Sequence, residues 1–207
     1  MRQTMTWSGP AALGMAVALA WGGAGWAAAA VVGKPAPEFS LTDSSGRARS
    51  LSEFKGQFVV LEWFNPECPF SRKHYGGNMQ QLQARYTRHG VVWLSIDSSA
   101  PGKQGYLTPE QADAFIKERG VKSTAVLLDP DGKAGRLYGA KTTPHLFVIG
   151  QDGTVLYAGA IDDTPSADPT DIPRSANYVQ RALDEAMAGK PVSIQETKSY
   201  GCSVKYQ

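Results

Sequence analysis

The apolar run Phe58-Val59-Val60-Leu61-Glu62-Trp63-Phe64 is followed four residues later by Cys68-Pro69-Phe70-Ser71. No other part of the sequence constrains the fold as much. A continuous run rich in valine and aromatic residues predicts a central strand covered on both faces. A proline directly after Cys68 predicts the first position of a helix. The cysteine therefore stands where a buried strand gives way to a helix. A two-thiol turn of this kind would carry its second thiol at position 71, which is Ser71, and the only other cysteine is Cys202.

The remaining elements alternate. Tyr75, Met79, Leu82 and Tyr86 recur at helical spacing, and Gly76-Gly77 predicts a kink in the helix that Pro69 opens. Val91 to Ile96 reads as the next buried strand. Thr108-Pro109-Glu110-Gln111 carries the cap, first-turn proline and capping-box glutamine of a second helix running to about Arg119. Ala125 to Leu128 is a short strand closed by Asp129-Pro130-Asp131-Gly132. Leu146 to Ile149 and Val155 to Ile161 flank the turn Gln151-Asp152-Gly153 as a hairpin. A last helix is expected from about Ser175 to Ala188. The pattern describes an α/β domain with a central mixed β-sheet flanked by helices. Ser98 to Leu107 and Asp162 to Pro173 read as surface loops. The four aspartates of the second loop lack the ligand spacing and terminal glutamate of a calcium loop.

Residues 1–30 carry one charge, Arg2, then an Ala/Gly/Leu/Val/Trp stretch ending in Ala27-Ala28-Ala29-Ala30. This pattern predicts a cleaved signal peptide and export to the periplasm, with a folded domain over residues 31–207. Contact with a membrane is expected only if the signal stays uncleaved. The charge balance, 21 basic against 19 acidic residues, gives a net +2 and no footing for a nucleic-acid partner. Two cysteines are too few for a disulfide scaffold, yet both would meet an oxidising compartment, which suits them to chemistry.

The thiolate is the reactive form of a cysteine, so Cys68 needs a lowered pKa. A helix N-terminus favours negative charge, and Arg72 and Lys73 add basic groups in the first turn. The structural alternative is a buried, inert cysteine. With a hydroxyl at Ser71, a mixed disulfide formed by attack of Cys68 must wait for an external thiol or for Cys202. The tail after Gly189 is long enough for Cys202 to reach. A Cys68–Cys202 bridge, a free tail thiol and an intermolecular link all remain open for it at this level.

The opening Gly33-Lys34-Pro35-Ala36-Pro37-Glu38-Phe39, the Cys68 turn, Thr143-Pro144 and the C-terminal Tyr200-Gly201-Cys202-Ser203 together resemble the redoxin branch of the thioredoxin-fold superfamily. This branch holds the alkyl hydroperoxide reductase/thiol-specific antioxidant proteins, and the chain is similar to an exported, peroxiredoxin-like subgroup within it. The resemblance implies a thioredoxin fold and a cis peptide before Pro144, with Thr143 and Pro144 facing Cys68. It aligns Glu62 with the buried acid of thioredoxins, a proton-transfer group; alternatively Glu62 points to an edge or pairs with a lysine. Pro69, Phe70, Ser71 and Thr143 are then expected to line the substrate side of the turn. The peroxidase members orient peroxide with a threonine or serine three residues before the cysteine and a proline seven before it; here those positions are Asn65 and Leu61.

The reading that follows is an exported thiol-dependent oxidoreductase with Cys68 as nucleophile and Cys202 or a partner thiol as resolver, and with Glu62 and Pro144 in the site. It needs no metal and no cofactor. Its partners are a protein or small-molecule disulfide and an external thiol reductant. Two alternatives stand beside it: a thiol peroxidase with a non-standard pocket, and a non-catalytic copper-handling or client-binding module using Cys68, His145 and His74.

Overall fold

Burial of every residue of one strand decides the architecture, because a strand with no exposed face must lie inside a sheet covered on both sides. In the computed structural model, which describes residues 29–207 together with Met1 and Gln3, that strand is Val59–Trp63 and all five residues are buried. The expected signal segment lies almost wholly outside the described residues. In chain order, β1 is Ser40–Asp43, β2 Ala48–Ser50 and β3 the central Val59–Trp63. After it come α1 (Pro69–His74), α2 (Asn78–Thr87), β4 (Val92–Asp97), α3 (Pro109–Arg119), β5 (Ala125–Leu128) and α4 (Lys133–Tyr138). The chain continues through β6 (Thr142–Thr143), β7 (His145–Ile149), β8 (Val155–Gly159), α5 (Tyr178–Met187) and β9 (Cys202–Ser203).

The main sheet runs β2-β1-β5-β4-β3-β7-β8. β3 is parallel to β4 and antiparallel to β7, so it sits at the mixed centre. One face carries Val60, Phe64, Trp93 and Val148 against Met79, Leu82, Tyr86 and Leu183 of the helices. The other carries Leu61, Trp63, Leu94 and Phe147 against Phe39, Tyr138 and Leu127. Each large apolar side chain buried in this way contributes about 1.5–3 kcal/mol, and the centre of the sheet is the rigid base from which the Cys68 turn projects.

Several local expectations are corrected. The helix after Cys68 is broken rather than kinked: Gly77 takes φ 137°, which no right-handed helix accommodates, and α2 starts afresh at Asn78. The last helix begins at Tyr178, because the Asn177 side chain caps it by accepting from the Gln180 amide; Ser175 instead ends a 3-10 helix over Pro169–Arg174. The β1–β2 hairpin and α4 were not expected at all. Neither expected surface loop is uniformly solvated: Ser98, Ser99 and Ala100 are buried, and so is Asp162. Asp162 is drawn inside by a cation on α1, described below.

The C-terminal nineteen residues, 189–207, do not hang free. They cross the outer edge of β8, where the Ala158 amide donates to Gln195 O and the Thr197 amide donates to Ala158 O. The Thr197 hydroxyl then joins the Tyr157 hydroxyl at 2.6 Å and accepts from the Ala160 amide. Further on, the Val204 amide donates to Lys141 O, and the Ala100 amide to Lys205 O. The Tyr206 hydroxyl donates to Ala140 O while its ring lies under the Arg136 guanidinium. The tail is a strap fastened on both sides of Cys202.

Candidate active site around Cys68

Cys68 occupies the N-cap position of α1, with Pro69 at the first helical position as the sequence indicated. The turn before it is built by Asn65. The Asn65 Oδ1 accepts from the amides of Glu67 (2.8 Å) and Cys68 (3.1 Å), and its Nδ2 donates to Gln104 O and the Ser99 hydroxyl. An Asn-Pro pair is a turn signal in its own right, so this positioning role was within reach of the sequence. Ser71 is buried, its hydroxyl accepting from the Asn65 amide at 3.4 Å.

The Thr143-Pro144 peptide is cis, as the resemblance implied. Thr143 belongs to β6, and β6 pairs antiparallel with β9, placing Cys202 directly across from Thr143. The Cys68 thiol donates to Thr143 O at 3.1 Å, and Cys202 lies close enough for its thiol and amide to act on the same sulfur. Both cysteines are free thiols. The two sulfurs separated by most of the chain in sequence are therefore neighbours in space.

Burial pushes the Cys68 pKa up, but hydrogen bonds from the Cys202 thiol, the Ser71 amide and the Thr143 side chain outweigh it and hold it below the ordinary thiol value. The Thr143 carbonyl works against them, since it is an acceptor only and favours the protonated form. Burial and the neighbouring Cys68 raise Cys202 to about 11. The pair is thus asymmetric: one sulfur is prepared to carry charge and the other to carry the proton. The basic side chains expected to lower Cys68 do something else. Arg72 bends back onto Pro66 O at 2.9 Å, and Lys73 is buried against Asp162.

Glu62 does not reach an edge or a lysine. It is completely buried in the centre of β3, and its Oε2 accepts from Trp93 Nε1 (2.8 Å), the Ser95 hydroxyl (2.9 Å) and Gln83 Nε2 (3.1 Å). Its Oε1 is buried with no partner among the described residues. Burial raises the Glu62 pKa against the pull of these donors. The protonated carboxyl is the form such a site favours.

A polar cluster beneath α1 fastens the strap. Lys73 Nζ and His74 Nε2 each lie 3.8 Å from Asp162 Oδ2, and the Tyr200 hydroxyl donates to Asp162 Oδ1. The Tyr200 ring packs edge-on against Phe70, centroids 5.9 Å apart. One carboxyl thus links the helix that starts at Cys68 to the strap that carries Cys202. Tyr200→Phe keeps the ring and deletes the hydrogen bond. A hydrogen bond to a charged group contributes ~1.5–3 kcal/mol, so the strap should open at least about tenfold more often. The measurement is hydrogen exchange at the Val204 amide, which should speed by that factor while the amides of β3 stay unchanged.

The histidines do not converge on Cys68 as a metal site. His74 Nδ1 bonds the Asn78 side-chain amide at 2.8 Å, and burial with the Lys73 charge pushes its pKa down to about 3. His145 stacks on Phe147 and accepts from the Lys141 amide. Among the described residues no group of three or more His, Cys, Asp or Glu is placed to hold a metal ion.

Residues 32–158 match the family model described as AhpC/TSA family. The thiol-disulfide oxidoreductase ResA of Bacillus thuringiensis is 30% identical over 125 residues, which span 60% of this chain and 67% of that protein. The thiol:disulfide interchange protein DsbE of Allochromatium vinosum is 26% identical over 163 residues, or 78% of this chain and 80% of that one. The crystal structure of an uncharacterized conserved protein from Geobacillus kaustophilus matches at TM-score 0.73 and 26% identity, covering 86% of this chain and 93% of the other. The fold is the thioredoxin-like α/β arrangement with a mixed sheet. The family match ends at residue 158, so the strap lies beyond it.

Proposed function

The chain belongs to the AhpC/TSA family, and on that footing we propose that it is an exported thiol-disulfide oxidoreductase whose working unit is the Cys68–Cys202 pair. The observation that carries this reading is the pairing of β9 with β6, which sets Cys202 opposite Thr143, the residue whose carbonyl accepts from the Cys68 thiol. Cys68 is the nucleophilic thiolate and Cys202 the second sulfur that the turn lacks at Ser71. Glu62 holds or moves the proton that accompanies exchange. Thr143 and Pro144 present backbone to the reacting sulfurs, and Pro69 and Phe70 form the outer wall of the turn. Residues 1–30 direct export to the periplasm and residues 31–207 are the redox domain. Its partners are a thiol or disulfide protein or small molecule and an external thiol reductant. The relatives named as thiol-disulfide oxidoreductase and thiol:disulfide interchange protein support this reaction class.

Peroxide reduction draws less support from the site. Asn65 is committed through both side-chain atoms to the turn, and Leu61 is packed in the core, so neither is available to orient a peroxide.

The test is the intact mass of the purified chain in a glutathione redox buffer. Formation of the pair removes one hydrogen from each cysteine with no adduct. The chain should then carry electrons from a dithiol, as a pair per turnover, to a protein disulfide. Recovery of Cys202 only as a free or glutathione-capped thiol would sink the pair.

A further inference from the structure

The two sulfurs differ in access. Cys68 is completely buried beneath the strap. Cys202 is partly exposed on β9, followed by the exposed Ser203. Resting on the Cys68–Cys202 pair proposed above, we propose that Cys202 is the sulfur that bonds to the partner, and that Cys68 is the inner sulfur that leaves or re-forms the bond behind it. Position in the turn alone would put Cys68 first; the strap reverses the order.

The step is a thiol-disulfide exchange with a dithiol partner. A thiolate of the partner attacks Cys202 Sγ of the oxidised chain. The Cys68–Cys202 bond breaks, its electron pair leaves on Cys68 Sγ, and a bond joins Cys202 to the partner. The partner's second thiolate then attacks its own sulfur in that mixed disulfide and expels Cys202. Two protons given up by the partner's thiols are taken up by Cys68 and Cys202. The chain is reduced by two electrons and the partner ends as a disulfide.

Two physical reasons favour this order. Exchange depends on which sulfur the attacking thiolate can reach along the S–S axis. Attack on Cys68 would have to come from the side away from Cys202, where the sulfur is enclosed by the turn, α1 and Thr143. Attack on Cys202 comes from the open side of the strap. The sulfur better able to hold charge is also the better leaving group, and the Ser71 amide and the Cys202 hydrogen bonds stabilise charge on Cys68.

The experiment uses the full chain with both cysteines. The oxidised protein is given less than one equivalent of reduced glutathione, quenched in acid within the first turnover, digested, and the glutathione located by mass spectrometry. At least about tenfold more glutathione on Cys202 than on Cys68 is expected. Equal or greater labelling of Cys68, in a chain that does form the Cys68–Cys202 bond, overturns the order and leaves the pair standing. A chain that never forms that bond overturns both.

Discussion

Gly201→Ala should disable the Cys68–Cys202 pair while leaving the domain folded. Gly201 has φ 126°, and a Cβ built there would lie 2.2 Å from Thr143 O and 2.9 Å from Thr143 C. The glycine is what lets β9 approach the Thr143-Pro144 backbone closely enough for Cys202 to meet Cys68. An L residue in that conformation costs ~1–3 kcal/mol, and overpacking against an immovable backbone adds about as much. Relief comes by lifting the strap, since β6 runs within one residue into the fully buried core strand β7. The equilibrium constant for the intramolecular disulfide against glutathione should fall by on the order of a hundredfold or more. Cys68, uncovered, should at the same time become reactive toward a bulky maleimide that the wild type excludes. The strap contributes Val192, Tyr200 and Val204 to the two packed faces, whose other members come from the sheet, its helices and the segments beside them, so lifting its end should lower the thermal midpoint without unfolding the domain. An unchanged disulfide equilibrium in Gly201→Ala would mean that the close approach at Thr143 is not what holds the sulfurs together.

What the sequence disclosed and what it hid divide along the range of the interactions involved. The buried strand β3, the Cys68 turn with Pro69, and the capped helix α3 are written in consecutive residues, because a run of apolar side chains and a first-turn proline act within a few positions. The break at Gly77 was half visible: two glycines marked the place, but a positive φ depends on where α2 must pack. The role of the strap was not legible. Gln195, Thr197, Tyr200 and Cys202 each find partners far back in the chain, and nothing in the tail's composition names Ala158, Asp162 or Thr143 as those partners. Asp162 shows the same limit. It sits in an acidic, proline-containing segment that reads as solvated, and its burial depends on Lys73 and Tyr200 arriving from two other elements. The two basic residues after Cys68 were legible as charges and misleading as neighbours, since Arg72 and Lys73 point to a carbonyl and a carboxyl away from the sulfur.

Glu62 separates structural from chemical roles in one position, and two substitutions should part them. Glu62→Ala removes the acceptor shared by Trp93 Nε1, the Ser95 hydroxyl and Gln83 Nε2, all in the interior of the sheet. Unsatisfied buried donors cost ~1–3 kcal/mol each where they cannot find new partners, and the void adds to this, so a loss of about 3–5 kcal/mol is expected in chemical denaturation. Glu62→Gln keeps the volume and an acceptor oxygen but cannot exchange a proton. Its stability should differ from the wild type in a pH-dependent way whose sign is fixed. Burial raises the Glu62 pKa above its ordinary 4.5, so in the interval above that value the native state holds a proton that the unfolded chain has lost. Stability contributed by the protonated carboxyl is therefore full in acid and declines as pH rises toward the native pKa. The glutamine variant lacks this slope and should gain on the wild type through that interval. If Glu62 also serves the thiol pair, Glu62→Gln should slow reduction of the Cys68–Cys202 disulfide by about 10²-fold, the lower range for a proton-transfer group, and flatten its pH dependence. A variant with the altered stability slope but wild-type exchange kinetics at every pH would assign Glu62 to the fold alone.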